Sequence, residues 1–115
     1  MMLFLIKEDT NFIYNMKYVI YEIRHKLIPT EFYIGSTNNF SSRKSKHKKN
    51  TTNKVSKLYW TKLYLFIRNN GGWNNVEMKP IFTGDGLDIK QKEQYYIDLH
   101  KPTLNSIKSF KEILL

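Results

Sequence analysis

Two short runs near the start of the chain alternate apolar and polar side chains. They span residues 17–24 and 31–36 and are rich in Tyr, Val, Ile and Phe. Alternation with a period of two is typical of strands that bury one face. The connection over residues 25–30 contains Pro29, which breaks the pattern between the two runs. We therefore predict two antiparallel strands that form a hairpin.

Beyond the hairpin the pattern becomes that of helices. Residues 39–49 are almost entirely polar or basic, and residues 36–39 are all of types that cap helices. This predicts a short exposed helix. Residues 55–69 carry apolar side chains at helical spacing as far as a stop at residues 70–72. We therefore predict a second helix, with one apolar face, over residues 55–69.

A third strand and a third helix follow. Residues 76–83 predict a strand, in which Pro80 requires an edge position or a bulge. Residues 84–86 predict a turn, and Asp88 can cap a helix that runs to about His100. Its apolar side chains, which we expect on the inner side, are Ile89, Tyr96, Ile97 and Leu99. Pro102 prevents the helix from continuing.

The order β-β-α-α-β-α predicts a small α/β protein of the α+β sandwich type. Its core would be a three-stranded antiparallel sheet flanked by helices. A chain of 115 residues has the size of one domain. We place that domain at residues 17–108, after an N-terminal extension or edge strand at residues 1–16 and before a C-terminal tail at residues 109–115.

Charge and composition narrow the class of partner. The chain has 19 Lys and Arg against 10 Asp and Glu, a net charge of +9. Such an excess attracts polyanions, so nucleic acid is the leading candidate partner, ahead of an acidic membrane surface. The absence of cysteine excludes disulfides and thiolate metal sites. The apolar start, residues 1–6, is too short for a signal peptide or a membrane span, so we expect a soluble intracellular protein with no membrane partner.

Tyr21 and Tyr33 fall on the two strands of the predicted hairpin. Whether they share a face depends on the register, which the pattern does not fix, and tyrosine is also a common packing residue in strands. Gly35 marks either a close backbone approach or an ordinary turn. Because capping residues such as Ser36 follow it, the backbone N–H groups here are candidates for binding a phosphate.

Arg43 and His47 lie four residues apart on the first predicted helix and so project from one face. A guanidinium can clamp a phosphate with two hydrogen bonds, and a histidine can move protons near neutral pH. The alternative is a solvated basic face, which would still bind DNA phosphates without sequence preference. The lysines that would contribute to it are Lys44, Lys46, Lys48, Lys49, Lys54 and Lys57.

Glu93 is the carboxylate candidate. Its neighbours one turn on, Tyr96 and Ile97, are expected to face inward. A carboxylate on that side of a helix is either a border residue or a functional one, since carboxylates are seldom fully buried unless paired. In the functional case it can hold one Mg²⁺ together with waters and a substrate phosphate.

The joint spacing of these residues resembles the signature of the GIY-YIG nuclease family. Residues 33–40, followed by Arg43 and His47, are similar to its core motif, and residues 19–21 are similar to its first half-motif. Residues 93–97 and 102–105 resemble its glutamate helix and closing asparagine. The resemblance covers roughly residues 17–108. Val19 departs from it, because the family has a glycine at this position.

A second departure concerns a further histidine or lysine that some members have after the motif helix, for which only Lys54 and Lys57 are candidates. The resemblance implies a metal-dependent endonuclease that hydrolyses DNA with Mg²⁺ or Mn²⁺. It implies Tyr21 as general base, Tyr33 and His47 as its polarising neighbours, Arg43 on the scissile phosphate and Glu93 on the metal. The implied substrate-binding set is Gly35, Ser36, Asn105 and the six lysines Lys44, Lys46, Lys48, Lys49, Lys54 and Lys57. Asn105 would position rather than react.

Two other classes of function remain open from the sequence. The first is a catalytically silent nucleic-acid-binding module on the same fold, since a fold does not fix a function. The second is a covalent tyrosine enzyme, which would need several arginines, whereas the chain has only Arg24, Arg43 and Arg68. Target choice would come from a separate DNA-targeting partner or from a branched or flapped DNA shape, or be nearly absent. A homodimer is one way to cut both strands.

Overall fold

The computed structural model describes residues 17–105. Predictions for residues 1–16 and for residues 106–115 lie outside the described residues. The elements, in chain order, are strand β1 (Lys17–His25), strand β2 (Phe32–Thr37), helix α1 (Phe40–Thr52), helix α2 (Lys62–Asn69), strand β3 (Val76–Asp85) and helix α3 (Ile89–His100). Two single turns of 3₁₀ helix, Trp73–Asn75 and Gly86–Asp88, precede and follow β3. The predicted fold class and element order are confirmed.

The sheet is antiparallel throughout, in the order β2-β1-β3. In the β1–β2 register Tyr21 pairs with Gly35, and Ile23 pairs with Tyr33. Directly paired residues lie on one face of a sheet, so Tyr21 and Tyr33 are diagonal neighbours on the same face. This register answers the question that the sequence pattern left open.

Pro80 lies where the sequence predicts. Strand β3 is an edge strand, and its register against β1 shifts between Ile20 and Tyr21, which pair with Phe82 and Pro80 respectively. The extra residue, Ile81, forms a bulge in the ladder. Proline has no N–H to donate, so it is tolerated only where the ladder does not need a donor, as at this bulge in an edge strand.

The sheet has an apolar core on each face. On one face Tyr21, Ile23 and Met78 pack with Leu63 and Ile67 of α2. On the other face Ile20, Phe32 and Ile34 pack with Ile89 at the start of α3. Strand β2 contributes side chains to both faces. Functional groups on the two sides of the sheet can therefore come close to each other at the end of this strand. Among residues 17–105, no helix has the length and apolar character needed to cross a membrane.

Two predictions about the helices were wrong. Helix α2 begins at Lys62 rather than at residue 55, because residues 53–61 form consecutive turns in which Ser56, Tyr59 and Thr61 donate backbone N–H groups to carbonyls three residues back. Leu99 does not face inward and is 57% exposed. It projects from a different side of α3 from Ile89, Tyr96 and Ile97, which contact the second core.

Arg68 holds the turn segment against the domain. Its guanidinium lies 3.4 Å from the ring centroid of Tyr59 and donates to the carbonyl oxygens of Tyr59 and Thr51, at 2.7 and 3.0 Å. A planar guanidinium can stack and donate at the same time. Arg68 therefore joins α2 to the end of α1 and has a structural rather than a chemical role.

Candidate active site

Tyr21 and His47 form the buried centre of the site. Tyr21 lies in the middle strand of the sheet, and His47 lies on the inner face of α1. The Tyr21 hydroxyl is 2.7 Å from Nε2 of His47. The ring of Tyr33 lies close to both, with its centroid 6.2 Å from that of Tyr21 and 5.6 Å from that of His47. The structure thus brings together three residues that the sequence singled out.

Gly35 is required by a close approach and not by a turn. A Cβ atom at this position would lie 2.7 Å from the Tyr21 hydroxyl oxygen and 2.9 Å from Cε2 of Tyr33. Contacts under 3.0 Å do not occur for real Cβ atoms, and both tyrosine rings are held by their strands. The glycine therefore makes room for the two tyrosines on the same face. Gly35 has its part in the site through the shape of the sheet.

We expect Gly35→Ala to lower stability and to displace Tyr21. Inserting one methyl group into a packed site costs about 1–3 kcal/mol. Chemical denaturation of the variant would measure the loss, with Ser45→Ala on the exposed side of α1 as the control. Stability equal to that of the wild type would show that the tyrosines can move away, and would contradict the tight packing.

Burial sets the protonation states in this centre. It raises the pKa of Tyr21, although hydrogen bonding to Arg43 and to Tyr33 acts in the opposite direction. Burial also raises the pKa of Tyr33, with the negative charge of Glu93 among the smaller contributions. Burial, followed by the positive charges of Arg43 and Lys46, lowers the pKa of His47 to about 4. At neutral pH both hydroxyls are protonated and the imidazole is neutral.

The lowered pKa of His47 predicts acid sensitivity. The unfolded chain takes up a proton near the ordinary histidine pKa of 6.5, whereas the folded chain does so only near 4. Between these values the unfolded state binds more protons, so stability rises with pH and is lost as pH falls. We expect this group alone to approach a slope of about 1.4 kcal/mol per pH unit in that window. Denaturation at several pH values should show a shallower slope in His47→Gln, and equal slopes would refute the buried neutral histidine.

Arg43, Ser36 and Glu93 link the two faces of the sheet. Nη1 of Arg43 donates to the Ser36 carbonyl oxygen at 3.4 Å. The Ser36 hydroxyl donates to Oε1 of Glu93 at 2.8 Å, and Nζ of Lys90 lies 3.3 Å from the same oxygen. Ser36, predicted to bind substrate, is thus hydrogen-bonded to both Arg43 on α1 and Glu93 on α3.

The donor set at Glu93 fits a divalent metal ion of the magnesium type. The Glu93 side chain is 19% exposed, which leaves room for water and for a phosphate oxygen. No cluster of three or more His, Asp or Glu side chains that suits a metal occurs within residues 17–105. A single carboxylate is nevertheless what Mg²⁺ uses when waters and substrate phosphate complete its shell. Lys90 is 80% exposed, so its pairing with Glu93 is weak and easily exchanged.

Asn105 is fully engaged with the backbone of β2. Its Oδ1 accepts from the Ile34 N–H at 3.0 Å, and its Nδ2 donates to the Ile34 carbonyl at 2.9 Å. Leu104 adds a backbone hydrogen bond to the Phe32 carbonyl oxygen. These contacts place residues 104–105 beside the outer edge of β2, where they support the strand that carries Tyr33 and Gly35.

The predicted substrate lysines are all on the surface. Lys44, Lys46, Lys48 and Lys49 are exposed on α1, and Lys54 and Lys57 are exposed in the turns after it. Lys44 also lines an open cleft of about 230 Å³ together with Lys26, Trp73 and Asn74. The Trp73 ring is stacked with that of His47, with centroids 6.5 Å apart. The cleft therefore leads to the wall of the buried centre.

Sequence reasoning missed several residues of the site. Tyr64 places its hydroxyl 2.6 Å from Nδ1 of His47, and Nδ2 of Asn50 donates to that hydroxyl at 3.3 Å. Trp73 and Lys90 were also missed. Tyr64 lies in an apolar helical pattern, and Asn50 follows a run of basic residues. Neither position carries a signal of its own, because only the packing of α2 on α1 brings them to His47.

The fold is that of a small α+β domain, and its candidate site combines residue types that a nuclease can use. A small α+β sheet gathers two tyrosines, an arginine, a histidine and a glutamate around the ends of two paired strands. Residues 17–107 match the GIY-YIG catalytic domain. The chain belongs to the GIY-YIG family, whose members are nucleases that generally depend on a divalent metal ion. No curated protein and no solved structure was found to match it.

Proposed function

We propose that the chain is a metal-dependent endonuclease that hydrolyses phosphodiester bonds in DNA. The observation that carries the proposal is the buried Tyr21–His47 pair beside Arg43, joined through Ser36 to a partly exposed carboxylate. A proton acceptor, a phosphate-binding cation and a metal ligand are the groups that hydrolysis of a phosphodiester requires. The match of residues 17–107 to a catalytic domain of nucleases supports the same conclusion.

Tyr21 is the proposed general base toward the attacking water. Its pKa is raised by burial, so the phenolate form needs support from the groups around it. Arg43 supplies a positive charge, and His47 and Tyr33 are close enough to donate hydrogen bonds. Tyr33, with its own raised pKa, remains a neutral donor in this role. Tyr21 would therefore hold the proton that leaves the water and pass it on after cleavage.

Arg43 is the proposed ligand of the scissile phosphate. It is only partly buried, and its Nη1 donates to the Ser36 carbonyl oxygen. A fixed array of donors stabilises the charge that grows on the phosphate oxygens during attack. A lysine would offer only a point charge at this position.

Glu93 is the proposed metal ligand, with Mg²⁺ or Mn²⁺ as the ion. When bound, such an ion neutralises the charge that develops on the leaving 3′-oxygen. Ser36 fixes the orientation of the carboxylate through its hydroxyl. A hydrogen bond to a metal ligand commonly fixes the orientation of that ligand.

The lysines of α1 and of the following turns are the proposed DNA-binding surface. Contacts between lysines and phosphates position DNA without reading its sequence. Lys44 lies at the cleft beside Trp73, next to the catalytic centre, so it would guide one strand toward Arg43. Target preference would then come from a branched or flapped DNA shape, from a second copy of the chain or from a separate targeting partner.

Incubation with supercoiled plasmid and with a branched oligonucleotide tests the proposed function. We expect wild-type protein to nick DNA in Mg²⁺ or Mn²⁺ and not in the presence of chelator. Faster cutting of the branched substrate would indicate selectivity for structure. Binding of both substrates without cleavage in either metal would refute the nuclease and favour a silent DNA-binding module.

A further inference from the structure

A continuous chain of hydrogen bonds leads from the surface turns to Tyr21. The Ser56 hydroxyl donates to Oδ1 of Asn50 at 2.6 Å, and Nδ2 of Asn50 donates to the Tyr64 hydroxyl at 3.3 Å. The Tyr64 hydroxyl is 2.6 Å from Nδ1 of His47, whose Nε2 is 2.7 Å from the Tyr21 hydroxyl. Four of these five residues are less than 9% exposed, and Ser56 is partly buried. Bulk water therefore has little access to this chain of hydrogen bonds.

The chain has a defined direction because an amide has one donor end and one acceptor end. Asn50 turns its acceptor to Ser56 and its donor to Tyr64. The Tyr64 oxygen accepts from Asn50, so its own proton is free to point at Nδ1 of His47. His47 is neutral, since burial lowers its pKa to about 4. An imidazole that accepts at Nδ1 carries its single proton on Nε2, facing Tyr21.

We propose that Ser56, Asn50 and Tyr64 are positioning residues that fix His47 as the Nε2–H tautomer. His47 then donates to the Tyr21 oxygen and stabilises the phenolate that takes the proton from water. The inference rests on the proposed function in one respect, which is the role of Tyr21 as base. The tautomer is inferred from the hydrogen bonds alone, so its test does not depend on whether the protein cuts DNA.

Helix α1 docks on the domain through buried polar residues, together with Phe40 in its first turn, which packs against the first core. Its buried residues are His47, Asn50 and Thr51, and none of them is apolar. A helix that buries polar groups needs each of them paired, and no buried side-chain N or O atom within residues 17–105 lacks a partner. Ser56 reaches Asn50 only because residues 53–61 turn back instead of beginning α2. The turn segment thus completes the site.

Asn50→Asp reverses the direction of the chain with almost no change in shape. A carboxylate can only accept, so Tyr64 must donate to it and turn its oxygen toward His47. The imidazole then donates from Nδ1 and accepts the Tyr21 proton at Nε2. Nitrogen-15 chemical shifts of the His47 ring distinguish the two tautomers at neutral pH. Asn69→Asp on the exposed surface of α2 adds the same charge and serves as the control.

We expect the Nε2–H tautomer in the wild type and in Asn69→Asp, and the Nδ1–H tautomer in Asn50→Asp. The Nδ1–H tautomer in the wild type, or the same tautomer in all three proteins, would overturn the proposal. This measurement needs no enzymatic activity. It therefore tests the proposed positioning of His47 separately from the proposed nuclease function.

The same chain of hydrogen bonds predicts a kinetic effect of Tyr64→Phe. At metal sites, loss of a hydrogen bond that orients a functional histidine costs about 10–100-fold in activity, and we take the same range for His47. We expect a drop of that size in the nicking rate, with DNA binding retained, and none in Tyr95→Phe on the exposed side of α3. Equal nicking by Tyr64→Phe and wild type, in a wild type that nicks, would overturn the positioning role.

Discussion

Glu93→Gln should abolish metal-dependent nicking while DNA binding is kept. The amide preserves the size of the side chain and can still accept from Ser36, but it removes the charge that a divalent ion requires. A metal ion supplies several kcal/mol of charge stabilisation, so we expect the rate to fall roughly 1,000-fold. Plasmid nicking at saturating protein concentration measures the change.

Asp98→Asn is the matched control for Glu93→Gln. It removes one negative charge from the same helix, at an exposed position where Asp98 only accepts from Gln94. We expect its nicking rate to equal that of the wild type. Wild-type rates in Glu93→Gln would exclude Glu93 as the metal ligand, and equal losses in both variants would point to the overall charge of α3 instead.

Tyr21→Phe should give the second large loss. The ring keeps its place between Tyr33, Phe40 and His47, so the packing of the first core is preserved. Only the hydroxyl is removed, and with it the proposed base. General base catalysis contributes about 10²–10⁴-fold, and we expect the nicking rate to fall by that factor. Single-turnover nicking separates this chemical step from DNA binding.

Tyr18→Phe controls for loss of a hydroxyl on the same strand. Tyr18 is partly buried against the second core, on the other side of the sheet from Tyr21. The Tyr18→Phe variant should cut DNA as fast as the wild type. Full activity in Tyr21→Phe would transfer the role of base to another group, with a metal-bound water as the first candidate.

The sequence predicted the sheet well because strand patterns are local. Alternation placed both hairpin strands within one or two residues of their observed ends, and Pro80 was correctly assigned to an edge and a bulge. The register was not predictable, because the loop between the strands allows more than one pairing. That register decides whether Tyr21 and Tyr33 share a face, so the centre of the site followed only from the structure.

The start of α2 shows the limit of periodicity. Residues 55–61 carry apolar side chains at spacings that fit a helix, yet they form turns that Asn50, Asn53 and Arg68 hold in place. Hydrogen bonds from side chains that are near in sequence compete with helix formation here. The error concealed Ser56, which reaches Asn50 only through that turn.

The candidate residues themselves were largely accessible from their types and spacing. Arg43 and His47 share a helix face as their spacing predicts, and both act on Tyr21. Gly35 was left between two explanations. The need for a glycine becomes clear only when the positions of the neighbouring tyrosine rings are known. Glu93 was likewise left between a border residue and a functional one, and only the structure shows that it accepts from Ser36, whose carbonyl oxygen accepts from Arg43.

The most direct test of the nuclease site compares wild type, Arg43→Lys and Arg43→Ala on one supercoiled plasmid, with Mg²⁺ or chelator, and measures binding in the same samples. We predict metal-dependent nicking by the wild type, and binding without nicking by Arg43→Lys, because an ammonium keeps the charge but not the paired donors. Nicking by Arg43→Ala at the wild-type rate, or binding without nicking by the wild type, would contradict the account.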